Sequence, residues 1–398
     1  MAVPTVTDSL TDVASGRLVD INDRTMRLSE VTDVDGFRRL QPVWDATLQR
    51  DPDASVFQTW EWQFAWWKHF GKNKKPLILL ISDQPGDEHF RAIAPMMLKH
   101  YVVPGIRELT FIGAGISDYL DIVCHPDWRL DAAAAVFDHL RSSSHKWDFI
   151  DLHQLPPGDT ISLGAKLAAE YYPDFQTEIL DHEVCPVVPL PESWEEYRKL
   201  LGKSLRFNIG YYERSLRKQH DVEIGIATEE NLDEELDALF HLHTSRWRRR
   251  CLPGVLCGAN IKNFHKEVAR KFLERGWLRL YYLKVDGKTC ASHYCFSFKN
   301  TMYYYLGGFD PKLAKFGLGT ILTAHAIRQA IEEGMSSFDM LRGSEDYKRR
   351  WQPEHRTNSR LFICKPDLRS RTARALHSLE GCIEHAFKER IINKRRGP

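Results

Sequence analysis

Long hydrophobic runs are missing from the 398-residue chain: no stretch approaches the roughly 18 apolar residues that a membrane helix needs, so no membrane span is expected. Paired cysteines are missing too. The eight cysteines (Cys124, Cys185, Cys251, Cys257, Cys290, Cys295, Cys364 and Cys382) are scattered without a CxxC pair. That pattern reads as reduced thiols in a cytosolic protein rather than a disulfide framework. Nor is there an excess of one charge. With 55 basic against 54 acidic residues, no global field draws the chain to nucleic acid, and no DNA partner is expected. Any anion binding must come from local clusters. The opening "MAVPTVTDSLTDVASG" lacks the basic start and apolar core of a secretory leader, so a cytoplasmic location is expected.

What remains is an ordinary globular composition, 43% hydrophobic and 27% charged, with length enough for two domains. Residues 1–25 are polar and aperiodic and are expected to be disordered. Then "FRRLQPVWDATLQRD" and "SVFQTWEWQFAWWKHFG" read as helices. The tryptophans at 60, 62, 66 and 67 fall on more than one face, so the second helix should be buried. "KPLILLISDQPGDEHFRAIAPMMLKH" reads as a hairpin, "IRELTFIGAG" as a strand, "LDAAAAVFDHLRSS" as a helix and "WDFIDLHQL" as a strand.

The second half repeats this order. Helices in "SWEEYRKLLGKSLRFNIGYYERSLRKQH", "EELDALFHLHTSRWRRR" and "ANIKNFHKEVARKFLERG" precede a hairpin turning at Asp286-Gly287. "TMYYYLGGF" matches "ELTFIGAG" down to its glycine pair, "LGTILTAHAIRQAIEEG" is a helix, and "SSFDML" matches "DFIDL". The expectation is two tandem α/β (α+β) domains, 26–185 and 186–365. Each would be a mixed, mostly antiparallel sheet flanked by helices. A basic helical tail should occupy 366–398.

Three constellations carry chemistry. In "YLGGFDPKLAKFGLGTILTAHAIRQ" a glycine-ended strand, a loop and Gly317-x-Gly319 lead into a helix, whose orphan first-turn N–H groups attract phosphate. The bland reading is a turn. The third glycine of a dinucleotide fingerprint and the Gly-Lys-Ser/Thr of a P-loop are both absent. In "KSLRFNIGYYERSLRK" a basic face opposes an apolar one, and Arg206 near the helix start opposes the helix dipole, which suggests an anionic partner; Asn208 lies at the boundary. His293 in "CASHYCFSF" is either a satisfied core histidine or a general base. "HLH" at 241–243 with Cys251 and Cys257 has zinc-ligand residue types but fits no standard spacing, so no metal is expected. "RWRRR" at 246–250 lacks aromatic interleaving and reads as surface charge.

"FDMLRGSEDYKRRW" at 338–351, with "KSLRFNI", "GKTCASHYCFSF", "YYYLGGFDP" and "FGLGTIL", resembles the GNAT acyltransferase domain of the CelD/BcsL family, itself similar to FemAB-type tandem-GNAT transferases. The resemblance spans about 35–365 and is most specific after residue 195. It implies an acyl-CoA N-acyltransferase associated with exopolysaccharide or cellulose production, using acetyl-CoA or another acyl-CoA. The acceptor would be a small molecule or a glycan such as an amino sugar, and the exopolysaccharide machinery a partner. His293 would be the base with Glu345 as the other candidate, and Tyr347 the acid. Leu306 and Gly307 would supply oxyanion donors. Lys315, Phe316, Gly317, Leu318, Gly319 and Thr320 would hold the acyl donor. Arg206, Asn208, Arg342, Lys348 and Trp351 would face the acceptor, and Asp339 would hold the turn. Ala314 departs from the family, whose loop opens there with Arg or Gln. A FemAB-like transfer from aminoacyl-tRNA and a non-catalytic binding module are the alternatives. The acidic "GAGISDYLDIVCHPDW" (Asp118, Asp121, Asp127) would repel a pyrophosphate, so one donor site is expected, in the second domain.

Overall fold

A computed structural model describes residues 17–21, 24–83, 90–100, 105–171, 174–248, 256, 258–367, 370 and 372. The described residues form two compact units: those within 17–54, 73–182 and 359–372 belong to the first, and those within 55–72 and 183–358 to the second. Most of the expected 366–398 tail, the end of "RWRRR", and Cys251, Cys257 and Cys382 lie outside the described residues.

The first unit opens with β1 (Arg17–Ile21) and β2 (Arg24–Val31), paired antiparallel. Part of the stretch expected to be disordered is therefore a strand: its alternation is short and polar, and pairing with β2 supplies what periodicity does not. α1 (Val34–Arg39) is capped by Asp33, whose carboxylate accepts from the Gly36 N–H at 2.7 Å, and α2 (Gln41–Arg50) follows. The next helix, α3 (Trp60–Phe70), belongs to the second unit. β3 (Lys74–Ser82) and β4 (Phe90–His100) form the expected hairpin, followed by β5 (Arg107–Phe111) and the short β6 (Val123–Cys124) against β4. After α4 (Arg129–Ser142), β7 (Phe149–Leu155) runs parallel to β5, and α5 (Thr160–Tyr171) leads to β8 (Gln176–Pro189). Leu79, Phe111, Val136 and Leu152 centre this core.

In the second unit α6 (Trp194–Leu200) and α7 (Lys203–Arg217) are separated at Gly202, where the sequence suggested one helical stretch. β9 (Val222–Ile226), α8 (Leu232–Arg248) and α9 (Ala259–Glu274) follow. β10 (Leu278–Val285) and β11 (Lys288–Phe298) form the hairpin whose turn needs positive φ at Asp286 (51°) and Gly287 (79°), as an Asp-Gly pair provides. β12 (Thr301–Phe309), α10 (Leu318–Glu332), β13 (Ser337–Asp339), the single turn α11 (Asp346–Arg349) and β14 (Glu354–Cys364) follow in order. The unit's strand order is β8-β13-β12-β11-β10-β9, with β12 and β13 parallel and the other neighbours antiparallel. The end of β14, from Ser359, pairs with β7 of the first unit's sheet.

Trp62 fixes α3 within the second unit. It is fully buried, with edge contacts to Phe264 (5.0 Å), Phe57 (4.9 Å) and Tyr305 (5.5 Å) between ring centroids. Glu61 pairs with Arg275, and Lys68 and His69 both reach Glu267. All four tryptophans of α3 are at most 6% exposed, as their spread over the helix requires. Truncating so large a buried aromatic costs about 3–5 kcal/mol. Trp62→Ala should lower the denaturant stability of the second unit by that amount. A loss below about 1 kcal/mol would contradict this packing.

Candidate active site

Strands β12 and β13 pair over only three residues, Thr301–Tyr303 against Ser337–Asp339, and then part. Two features drive them apart. On β12 the register with β11 slips between Tyr304 and Leu306, leaving Tyr305 as an extra residue in a bulge. Beyond β13 the chain keeps following β8 instead of β12: the Met340 N–H donates to Pro186 O at 2.9 Å and the Gly343 N–H to Val184 O at 3.0 Å. Asp339 holds the intervening turn, accepting from the Leu341 N–H at 2.7 Å while Leu341 sits at φ 55°. The structural role expected for Asp339 is the one observed.

Lys348 locks this loop. Its side chain is 4% exposed, and the ammonium donates to the carbonyl oxygens of Leu341 (3.2 Å), Arg342 (2.8 Å) and Gly343 (3.2 Å), with Glu345 at 3.1 Å. An ammonium has three protons. Lys348 is thus committed to its own loop and is not the acceptor-facing charge that the sequence suggested. Glu345 is committed with it and is exposed. Neither Glu345 nor Arg342 lines the cavity described next.

Between β12, the start of α10 and the segment beyond β13 lies a cavity of about 290 Å³. From β11 and β12 come His293, Tyr304, Gly307, Gly308 and Phe309; from the loop and first turns of α10 come Ala314, Gly317, Leu318, Gly319, Thr320 and Thr323. Leu205 of α7 contributes, and Tyr347, Arg350 and Trp351 close the remaining side. His293, Tyr347, Trp351, Gly307 and 317–320 thus line one cavity. Leu306 sits in the strand beside it. Lys315 stands over the Phe316 ring at 4.7 Å, and Phe316 belongs to the core, so neither lines the cavity. Arg206 lines a different cavity, and Asn208 lines neither. Arg350 was missed. Tyr347, Arg350 and Trp351 are spaced i, i+3, i+4, so one helical turn puts them on a common face and turns Lys348 away.

The glycines have separate reasons. A Cβ on Gly307 would lie 2.3 Å from the Tyr304 hydroxyl and 3.0 Å from His293 Nδ1, and one on Gly308 would meet the α8 backbone at Leu242 and His243. Gly317 caps α10 at φ 61°, where a Cβ would strike the Tyr212 ring. At Gly319 a Cβ would meet only Phe309, at 3.7 Å.

His293 is 3% exposed and tilts over Tyr304, with centroids 4.5 Å apart. Its Nδ1 lies 3.0 Å from Ser292 O and its Nε2 2.9 Å from Thr323 Oγ1. A carbonyl oxygen only accepts, so in a neutral ring Nδ1 carries the proton and Nε2 presents its lone pair to the Thr323 hydroxyl. Thr323 has Gly319 O as its other acceptor, at 2.8 Å. In the first unit the Asp121 carboxylate accepts from the N–H groups of Thr160 (2.7 Å) and Ile161 (3.2 Å) at the start of α5, the helix that follows β7. The helix that, like α10, lies between two parallel strands is α4. Burial and the neighbouring Asp159 raise the Asp121 pKa. Among the described residues no group of three or more His, Cys, Asp or Glu is placed to hold a metal, and no helix is long and apolar enough to cross a membrane.

Residues 203–349 match the family model of an acetyltransferase (GNAT) domain. No curated protein matches the chain. Among solved structures it is similar to FemX, at 10% identity and a TM-score of 0.57, over 81% of this chain and 95% of that one. It is also similar to the C-terminal domain of a protein assigned as a lysylphosphatidylglycerol synthetase from Agrobacterium fabrum. There the identity is 12% and the TM-score 0.53, over 86% of this chain and 95% of that one. At such identities the likeness concerns the fold, a GNAT acyltransferase fold.

Replacing Lys348 by Met removes charge-assisted bonds worth roughly 1.5–3 kcal/mol and strands three carbonyls. Lys348→Met should therefore lower stability by about that amount, whereas Arg349→Ala, an exposed charge 3.9 Å from Asp346, should change it by under about 0.5 kcal/mol. Equal effects from the two substitutions in denaturant titrations would contradict the role given to Lys348.

Proposed function

We propose that the second unit transfers an acyl group, acetyl in the simplest case, from acyl-CoA to an amine on an amino sugar, sugar nucleotide or polysaccharide precursor. The observation that carries this reading is the cavity itself, which connects the first turn of α10 to the bulged edge of β12 and to His293. The α10 first-turn N–H groups and Arg350 suit a pyrophosphate. Acyl-CoA held there would supply the thioester carbonyl that the amine attacks. Backbone N–H groups of β12 beside the bulge, near Leu306 and Gly307, would face the developing negative oxygen. The amine's proton would pass to Thr323 Oγ1 as the Thr323 hydroxyl proton moves to His293 Nε2, so His293 acts through a hydroxyl rather than by direct contact. Tyr347, 36% exposed at the rim, would donate its phenolic proton to the departing thiolate. Trp351 offers an aromatic wall for the donor or for a sugar. The exopolysaccharide or cellulose setting, and a cytoplasmic location, rest on the resemblance of residues 338–351 to the CelD/BcsL signature and on the sequence composition. The acidic segment that leads into α4, with Asp118, Asp121 and Asp127, supports a single donor site.

A second reading, FemAB-like transfer from aminoacyl-tRNA, is favoured by one observation. Ala314 lines the cavity where related pyrophosphate loops open with Arg or Gln.

Titration calorimetry with acetyl-CoA and longer acyl-CoAs separates the two. The proposal expects micromolar binding of one equivalent, weakened at least about tenfold by Gly319→Val. The backbone at Gly319 tolerates a side chain that then fills the cavity, whereas Gly317→Val would also disturb Tyr212. No binding of any acyl-CoA, or unchanged affinity in a folded Gly319→Val protein, would overturn it.

A further inference from the structure

A second cavity, of about 260 Å³, opens among α6, α7, β9 and α10 and shares no lining residue with the first. α10 separates the two: Gly319, Thr320 and Thr323 line one, while Ile321, Ala324, His325 and Arg328 line the other. Three arginines line the second cavity: Arg198 of α6, Arg206 of α7 and Arg328 of α10. Their donors are incompletely used. Arg206 gives Nη2 to the carbonyls of Lys199 (3.0 Å) and Leu201 (2.9 Å), which fixes it at the α6–α7 corner, while its buried Nε has no hydrogen-bond partner. Arg198 makes no hydrogen bond or ion pair among the described residues. Arg328 lies 5.9 Å over the Trp194 ring and reaches only Glu332, at 3.4 Å.

The opposing acids do not balance these charges. Of the lining acids, Glu213 is held by Arg217 at 3.1 Å and Glu195 is exposed; Arg328 has Glu332 as its own partner at 3.4 Å, so Arg198 and the Nε of Arg206 are the donors left open. Arg198 and Arg328 are exposed and Arg206 is half-buried, so water shares in their solvation, and an oxyanion in the cavity would gain charge-assisted bonds from the donors that the chain leaves open. The floor is apolar, formed by Ile209, Ile224 and Ile321, and the volume lies just under the usual range of roughly 300–1,000 Å³ for small-molecule sites. We propose that this cavity binds a small ligand bearing an oxyanion, a carboxylate or phosphate ester with a compact apolar body, at a site separate from the acyl-transfer cavity. The anionic partner that Arg206 suggested in the sequence is then met here. A ligand seated on α7 and α10 would touch both helices that frame the first cavity, which makes it suited to modulating that site.

Titration calorimetry on the full chain, with inorganic phosphate and separately with succinate, tests the proposal. Saturable binding of either is expected, weakened about tenfold by Arg198→Gln and by Arg328→Gln. Neither substitution removes a bond to the backbone, and unchanged thermal unfolding checks that both variants fold. Binding of phosphate alone identifies a phosphate ester, and of succinate alone a carboxylate. Phosphate seated instead at the start of α10 would survive both substitutions. Binding that both variants leave unchanged, or no binding of either anion, overturns the proposal.

Discussion

The Lys348 ammonium, held among the carbonyl oxygens of Leu341, Arg342 and Gly343, is the interaction on which the site of the second unit depends. Three carbonyls turned inward would be costly in a loop with no donor to meet them. With the ammonium in place they converge, and the loop after β13 can stay with β8 while β12 bends away at its bulge. The parted strands leave a space into which backbone groups, rather than flexible side chains, are presented. The same turn that buries Lys348 swings Tyr347, Arg350 and Trp351 over that space. Trp351 is anchored in turn by its carbonyl, which accepts from the Tyr197 hydroxyl at 2.8 Å.

α10 gives that space its polarity. The N–H groups of Leu318 and Gly319 precede the first bonds to Gly317 O, which Thr320 (2.8 Å) and Ile321 (3.1 Å) make, and Gly317 in the left-handed region starts the helix abruptly beneath the loop. Farther along, the helix carries His325 and Arg328 on the face turned from the first cavity. One helix therefore serves two chemically different pockets. α7 does the same through adjacent residues, with Leu205 on one side and Arg206 on the other.

Much of this was legible in the sequence wherever local rules and packing agree. The Asp286-Gly287 hairpin, the glycine-ended β12, the opening of α10 and the signature after β13 all came from short-range patterns that the fold preserves. What stayed hidden was set by distant partners. Nothing in "SVFQTWEWQFAWWKHFG" says that Trp62 packs on Phe264 and Phe272, two hundred residues away, so α3 read as part of the first domain by position alone. Lys348 looked like a site cation because sequence shows a charge but not where its protons go. Arg350, one position from an apparently equivalent Arg349, was distinguishable only through the helical spacing of Tyr347 and Trp351. The aperiodic "RLVDI" of β1 took its structure from β2.

The central claim is that the parting of β12 and β13 is the acyl-donor seat. A crystal structure of the chain soaked with acetyl-CoA tests it most directly. The pyrophosphate is expected against the first turn of α10 and the thioester between Tyr304–Gly308 and Trp351. Acetyl-CoA bound elsewhere on the chain, with that cavity empty, would contradict it.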